Sequence, residues 1–146
     1  MKKFCIITMI VLATLVANAQ NWGVGVKSGV WDYGFNIKKY EGINSMEGVF
    51  DFHQSGFRAT GLYEWNQEIK SSLHLYYGLG ASIGMWEDGH NEADFGLGIN
   101  ATVGIEWHFP DDIPLSLALD WTPGFELIPA SGFYGRGFAI SIKYVW

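Results

Sequence analysis

One stretch, "DFGLGINATVGIEWHF" over residues 94–109, keeps an unbroken two-residue rhythm. Phe95, Leu97, Ile99, Ala101, Val103, Ile105, Trp107 and Phe109 make one row, and Gly96, Gly98, Asn100, Thr102, Gly104, Glu106 and His108 make the other. A period of two turns successive side chains to opposite faces of an extended strand, whereas a helix would repeat at three and four. The length of the run narrows the choice further. Strands in ordinary globular domains are about five or six residues long, but a tilted strand crossing a bilayer needs roughly nine to eleven and is apolar on one face only.

The same alternation recurs. Leu115, Leu117, Leu119 and Trp121 oppose Ser116, Ala118, Asp120 and Thr122, and Phe138, Ile140, Ile142, Tyr144 and Trp146 oppose Ala139, Ser141, Lys143 and Val145. With turn residues as punctuation, the chain reads as strands near 22–30, 32–40, 45–53, 57–66, 72–86, 94–109, 114–127 and 133–146. In the fourth of these, Leu62 interrupts the row of Phe57, Ala59, Tyr63 and Trp65. An even number of strands returns both ends to one side, as antiparallel closure requires. The predicted fold is all-β, an eight-stranded antiparallel up-and-down transmembrane β-barrel.

The opening "MKKFCIITMIVLATLVANAQ" has two lysines, an apolar run and then Ala17-Asn18-Ala19. This reads as a secretory signal peptide over residues 1–19, cleaved after Ala19, followed by one barrel domain over 20–146. The sole cysteine, Cys5, falls in the signal, so the mature domain is expected to hold no disulfide. Of nine basic residues, losing Lys2 and Lys3 leaves seven against fifteen acidic ones. Such an anionic chain is a poor partner for nucleic acid. Only 16% of residues are charged, against about a quarter in soluble domains. That deficit suits a surface facing lipid.

Parity places Lys27, Lys38, Arg58 and Lys143 on the inward row, with Glu47, Asp51, Glu64, Glu106 and Asp120, and with His74 and His108 among them. An unpaired buried ion costs several kcal/mol, and an eight-stranded barrel is just wide enough for side chains to fill it. The expected lumen is therefore a plug of ion pairs. If the mature N-terminus is periplasmic, connections near Glu41-Gly42-Ile43-Asn44, Gln67-Glu68-Ile69-Lys70 and "PDDIP" share its side. Those near Gly29–Asp32 and His53–Gly56, with "WEDGHNEAD" and "ELIPASG", face outward. Aromatics then form two girdles. Trp22, Trp65, Trp107, Phe109, Tyr144 and Trp146 lie at the periplasmic level, and Trp31, Tyr33, Phe57, Phe95, Phe125 and Phe133 at the outer level.

From "GFRATGLYEWNQEI" through "LYYGLGASIGMW" and "IPLSLALDWTPGFEL" to "GFAISIKYVW", the chain resembles the small porin-family outer-membrane β-barrel proteins of Gram-negative bacteria, the OmpA/OmpX-like eight-stranded type. The resemblance implies an outer-membrane location, contact with outer-membrane lipid, and a last strand read by the barrel assembly machinery. Ile140, Ile142, Tyr144 and Trp146 match that assembly signal, with Trp where the family usually has Phe. It brings no catalytic residues and no cofactor.

Other features have plainer readings beside a functional one. "FDFHQSG" sets His53 and Ser55 near a strand end, loosely similar to the His-x-Ser of lipid A deacylases, but no acidic partner is fixed by spacing and a polar turn explains it better. "WEDGHNEAD" groups Glu87, Asp88, His90, Glu92 and Asp94, all oxygen or imidazole donors, without the ordered spacing of a Ca²⁺ loop; it reads as a solvated acidic loop. Pro123 and Gly124 in "WTPGF" suggest a bulge or bend. A soluble exported lipocalin-like barrel with an apolar ligand is the alternative from another class, and it would need its apolar rows turned inward. The expectation is a non-enzymatic barrel without metal or cofactor, acting through its outer loops on an extracellular partner the sequence does not name.

Overall fold

The computed structural model describes residues 21–30, 32–53, 56–87, 93–110, 112–128, 131–135 and 137–146. The predicted signal peptide, Trp31, Ser55 and most of the acidic loop lie outside them. The described residues form ten strands: β1 (Trp22–Gly29), β2 (Tyr33–Glu41), β3 (Asn44–His53), β4 (Gly56–Lys70), β5 (Leu73–Glu87), β6 (Ala93–His108), β7 (Leu115–Trp121), β8 (Gly124–Ile128), β9 (Gly132–Tyr134) and β10 (Phe138–Val145). β7 and β8 both pair with β6 and form one position in the wall, interrupted between them. β9 and β10 form the next. β10 closes on β1, from Gly23 opposite Val145 to Gly29 opposite Ala139. The result is an eight-stranded closed antiparallel β-barrel.

Closure extends to the last residue. Trp146 donates its backbone N–H to the Trp22 carbonyl at 2.9 Å, and its carbonyl accepts from Asn21 at 2.7 Å and Trp22 at 3.0 Å. The end of the barrel carrying Trp22 and Trp146 is called the near end below, and the opposite one the far end. The near-end connection between β2 and β3 is tight. Gly42 turns the chain between β2 and β3 at φ 67°, a conformation that only glycine adopts without strain.

Two expectations from sequence need correction. The stretch Gln67–Lys70 is strand, not turn: β4 continues to Lys70 with an irregularity between Glu68 and Lys70, and the chain reverses at Ser71-Ser72. Nor is Pro123 a bulge. Val103 faces Trp121 and Asn100 faces Gly124, an equal step along both strands, so the ladder passes the proline in register. Pro123 has no N–H to give, but its carbonyl accepts from Ala101 at 3.0 Å. The register shift falls further on, where Gly98 faces Glu126 and Leu97 faces Ile128.

Alternation sorts the side chains by face. Val26 (55% exposed), Leu79 (62%), Ile99 (53%) and Ile140 (54%) point outward, whereas Lys38 and Glu64 inside are fully buried. Leu62 does not break the β4 pattern: it is buried, and Gly61 takes the outward place between Ala59 and Tyr63. The core of this molecule is therefore mostly polar, with Val49, Leu62, Tyr76, Ala118 and Ala139 as its buried apolar or aromatic members.

Candidate functional site

The interior is built by strands that each contribute one row of side chains. All nine charged residues assigned inward by parity are buried: Lys27, Lys38, Glu47, Asp51, Arg58, Glu64, Glu106, Asp120 and Lys143. At the near end, Lys38 Nζ lies 2.8 Å from Glu64 Oε2 and 3.0 Å from Glu106 Oε2. Lys143 Nζ approaches Glu106 Oε1 at 3.1 Å. That same oxygen accepts from the Tyr40 hydroxyl at 2.5 Å and the Ser116 hydroxyl at 2.8 Å. Ser45 donates to Glu64 at 3.0 Å, and Asn36 donates to Glu47 at 2.7 Å. A buried ion pair gains from having its remaining lone pairs and protons satisfied; hydroxyl groups do that for Glu106, while Glu64 Oε1 is buried without a hydrogen-bond partner.

At the far end Lys27 Nζ spans both oxygens of Asp120, at 2.8 and 2.9 Å. Tyr76 donates its hydroxyl to Asp120 Oδ2 at 2.8 Å. Asp51 and Arg58 face each other across the β3–β4 ladder. A cavity of about 20 Å³ remains, lined by Lys27, Asp51, Thr60, Asp120 and Thr122 among others. Such a volume admits about one water molecule.

Sequence parity did not single out Tyr76 and Tyr40, yet both are structural to this interior. Tyr76 is 1% exposed, and Lys38 Nζ sits 4.1 Å above its ring while its hydroxyl reaches Asp120, so it joins the two ends. Gly104 leaves room for it: a Cβ there would lie 2.6 Å from both Tyr76 Cζ and Asp120 Cβ. The available signal was Tyr76's shared parity with His74 and Gly78 inside "LYYGLG".

Several aromatics named from sequence make ring contacts, some with others that were not named. Trp107 packs on Phe109 at 4.5 Å, Tyr144 on Trp146 at 5.7 Å and Trp65 on Tyr77 at 5.9 Å toward the near end. Tyr33, Phe50, Phe52 and Phe57 form a chain of ring contacts at 5.4 to 6.4 Å toward the far end. Trp22 lies on the outer face under Lys39, whose Nζ is 5.9 Å from its ring. Ile140, Ile142 and Tyr144 are exposed along β10.

His53 ends β3 opposite Gly56, but its candidate partner Ser55 is outside the described residues, as are Asp88, His90 and Glu92. Among the described residues no group of three or more His, Cys, Asp or Glu side chains is arranged to hold a metal ion. Every carboxylate of the described interior is engaged with a cation or a hydrogen-bond donor, or stands opposite one. The arrangement is thus suited to filling and holding the barrel. No family model matches the chain, and comparison with curated proteins gives no match.

Proposed function

We propose that this chain is a non-enzymatic outer-membrane β-barrel protein with a side-chain-filled lumen and a structural or surface-interaction role carried by its far-end loops. The observation that carries this reading is the outer face. Apolar side chains are exposed on every strand position around the closed wall, from Val24 and Phe35 through Phe50, Tyr63, Leu79, Ile105 and Leu117 to Ile142. Monomeric soluble proteins rarely expose apolar patches above a few hundred Å²; lipid tails cover such a surface without cost. In this reading the near end is periplasmic, and Trp65, Trp107, Tyr144 and Trp146 sit at the headgroup level. Ile140, Ile142, Tyr144 and Trp146 serve as the assembly signal, and export follows from cleavage after Ala19.

A soluble exported barrel carrying an apolar ligand is the second reading, and the closed fold suits it equally. The filled lumen offers such a ligand no space. Outer-face grooves do, notably one of about 560 Å³ over Gly48 and Gly61 between Phe35 and Ile83. Cell fractionation with electrophoresis before and after boiling separates the two. The membrane reading expects the protein in the outer-membrane fraction with a heat-dependent mobility shift. A protein soluble in the periplasm without that shift overturns it. Replacing Ile142 and Tyr144 by Asp is expected to abolish insertion, and normal insertion would remove the assembly role from β10.

A further inference from the structure

Two histidines at the near-end mouth take no part in the ion pairs described above. His74 on β5 and His108 on β6 are half-buried, with ring centroids 5.2 Å apart and planes at 88°. They are diagonal neighbours, since His74 stands directly opposite Glu106 on β6. On its other side His74 faces Glu68 on β4, which is exposed. His74 Nδ1 is buried with no hydrogen-bond partner. Tyr40 packs edge-on against His108 at 5.7 Å, and its hydroxyl is already given to Glu106.

We propose that His74 and His108, joined by Glu68, form a binding site for a divalent transition metal of the imidazole-preferring kind, Zn²⁺, Ni²⁺ or Cu²⁺. Imidazole nitrogens bind such ions at about 2.0–2.1 Å, and two rings around one tetrahedral ion have centres roughly 5 Å apart. The two imidazoles hold that separation already. They are a pair, so a third protein ligand must come from a side chain that moves. Glu68 can move, because it lies at the irregular, exposed end of β4. Two imidazoles and one carboxylate with water in the remaining position suit these ions better than Ca²⁺ or Mg²⁺. Nearby cations do not oppose the ion strongly, since Lys38 and Lys143 are held by Glu64 and Glu106. Glu106 is committed to those lysines and is not counted as a ligand. The bound ion would tie β4, β5 and β6 together across the mouth. This site depends on the barrel's geometry and not on whether the barrel resides in a membrane.

The test is titration of the untagged, folded full chain with Zn²⁺ by calorimetry, with circular dichroism confirming β-structure in every variant. One equivalent per chain is expected, and His74→Gln or His108→Gln should weaken binding about tenfold or more. Glu68→Gln should weaken it less, and His53→Gln with His90→Gln should leave it unchanged. Because a histidine variant could fail to fold, Cu²⁺ electron paramagnetic resonance on the unsubstituted chain provides a second readout. Coupling to two imidazole nitrogens supports the site. Lack of stoichiometric binding, binding lost with His53 and His90, or a Cu²⁺ spectrum without imidazole nitrogen overturns it.

Discussion

At the near end of the lumen one carboxylate, Glu106, gathers Lys38, Lys143, Tyr40 and Ser116, drawing in β2, β6, β7 and β10, and Lys38 adds β4 through Glu64. At the far end Asp120 gathers Lys27 and Tyr76, from β1 and β5, beside a cavity of about 20 Å³, and Asp51 faces Arg58 across the β3–β4 ladder. The near end is thus cross-braced mainly through one carboxylate. The far end shares its bracing between these two places. Where one carboxylate carries several partners its loss strands them all, so the two ends should differ in how much a single substitution costs.

The largest effect is expected at Glu106. Glu106→Ala leaves Lys143 without its carboxylate and Lys38 with one in place of two, and breaking a buried pair from one side costs about 3–5 kcal/mol. Urea unfolding followed by tryptophan fluorescence should show a large drop in midpoint, and Glu106→Gln, which can still accept from Tyr40 and Ser116, a smaller one. Asp120→Asn is the matching change at the far end. It keeps shape and the Tyr76 hydrogen bond while removing the charge under Lys27, so about 3 kcal/mol is expected. Equal losses for Glu106→Gln and Asp120→Asn would mean that the two carboxylates carry equal shares.

What the sequence made legible follows from parity. In β6, β7 and β10 every second residue is apolar, so the face of each charge was readable once the strand was recognised. Which lysine meets which carboxylate was not readable, because partners on non-neighbouring strands, such as Lys27 and Asp120, meet only through the tilt and stagger of the closed barrel. Tyr76 was missed because its ring reads as apolar in "LYYGLG", and only closure shows that it runs between the two clusters. The extension of β4 to Lys70 was hidden by polar residues typical of turns: from Gln67 to Lys70 every residue is exposed, so alternation is lost.

Tyr76 is where the comparison between the ends can be sharpened. Gly104→Ala would push a methyl group into the Tyr76 ring and Asp120, and overpacking of this kind costs about 2 kcal/mol. Since the ring touches Lys38 above and Asp120 below, Gly104→Ala and Glu106→Ala should be non-additive in a double-mutant cycle. Independent effects would separate the two clusters energetically.

The smallest expected effect lies at the far-end cavity. Thr60 is 4% exposed and lines it, and its Oγ1 has no hydrogen-bond partner in the protein. The cavity is polar, with Asp51, Asp120, Thr122 and Lys27 around it, and is large enough for one water bridging Thr60 to these groups. Thr60→Val removes one end of that bridge and should cost about 1 kcal/mol, with Thr60→Ser near neutral in the same urea titration. Stabilisation by Thr60→Val would instead mark the hydroxyl as buried without any partner, since removing such a group relieves its desolvation cost. The far end would then carry an unsatisfied hydroxyl, in contrast to Glu106, both of whose carboxylate oxygens are engaged.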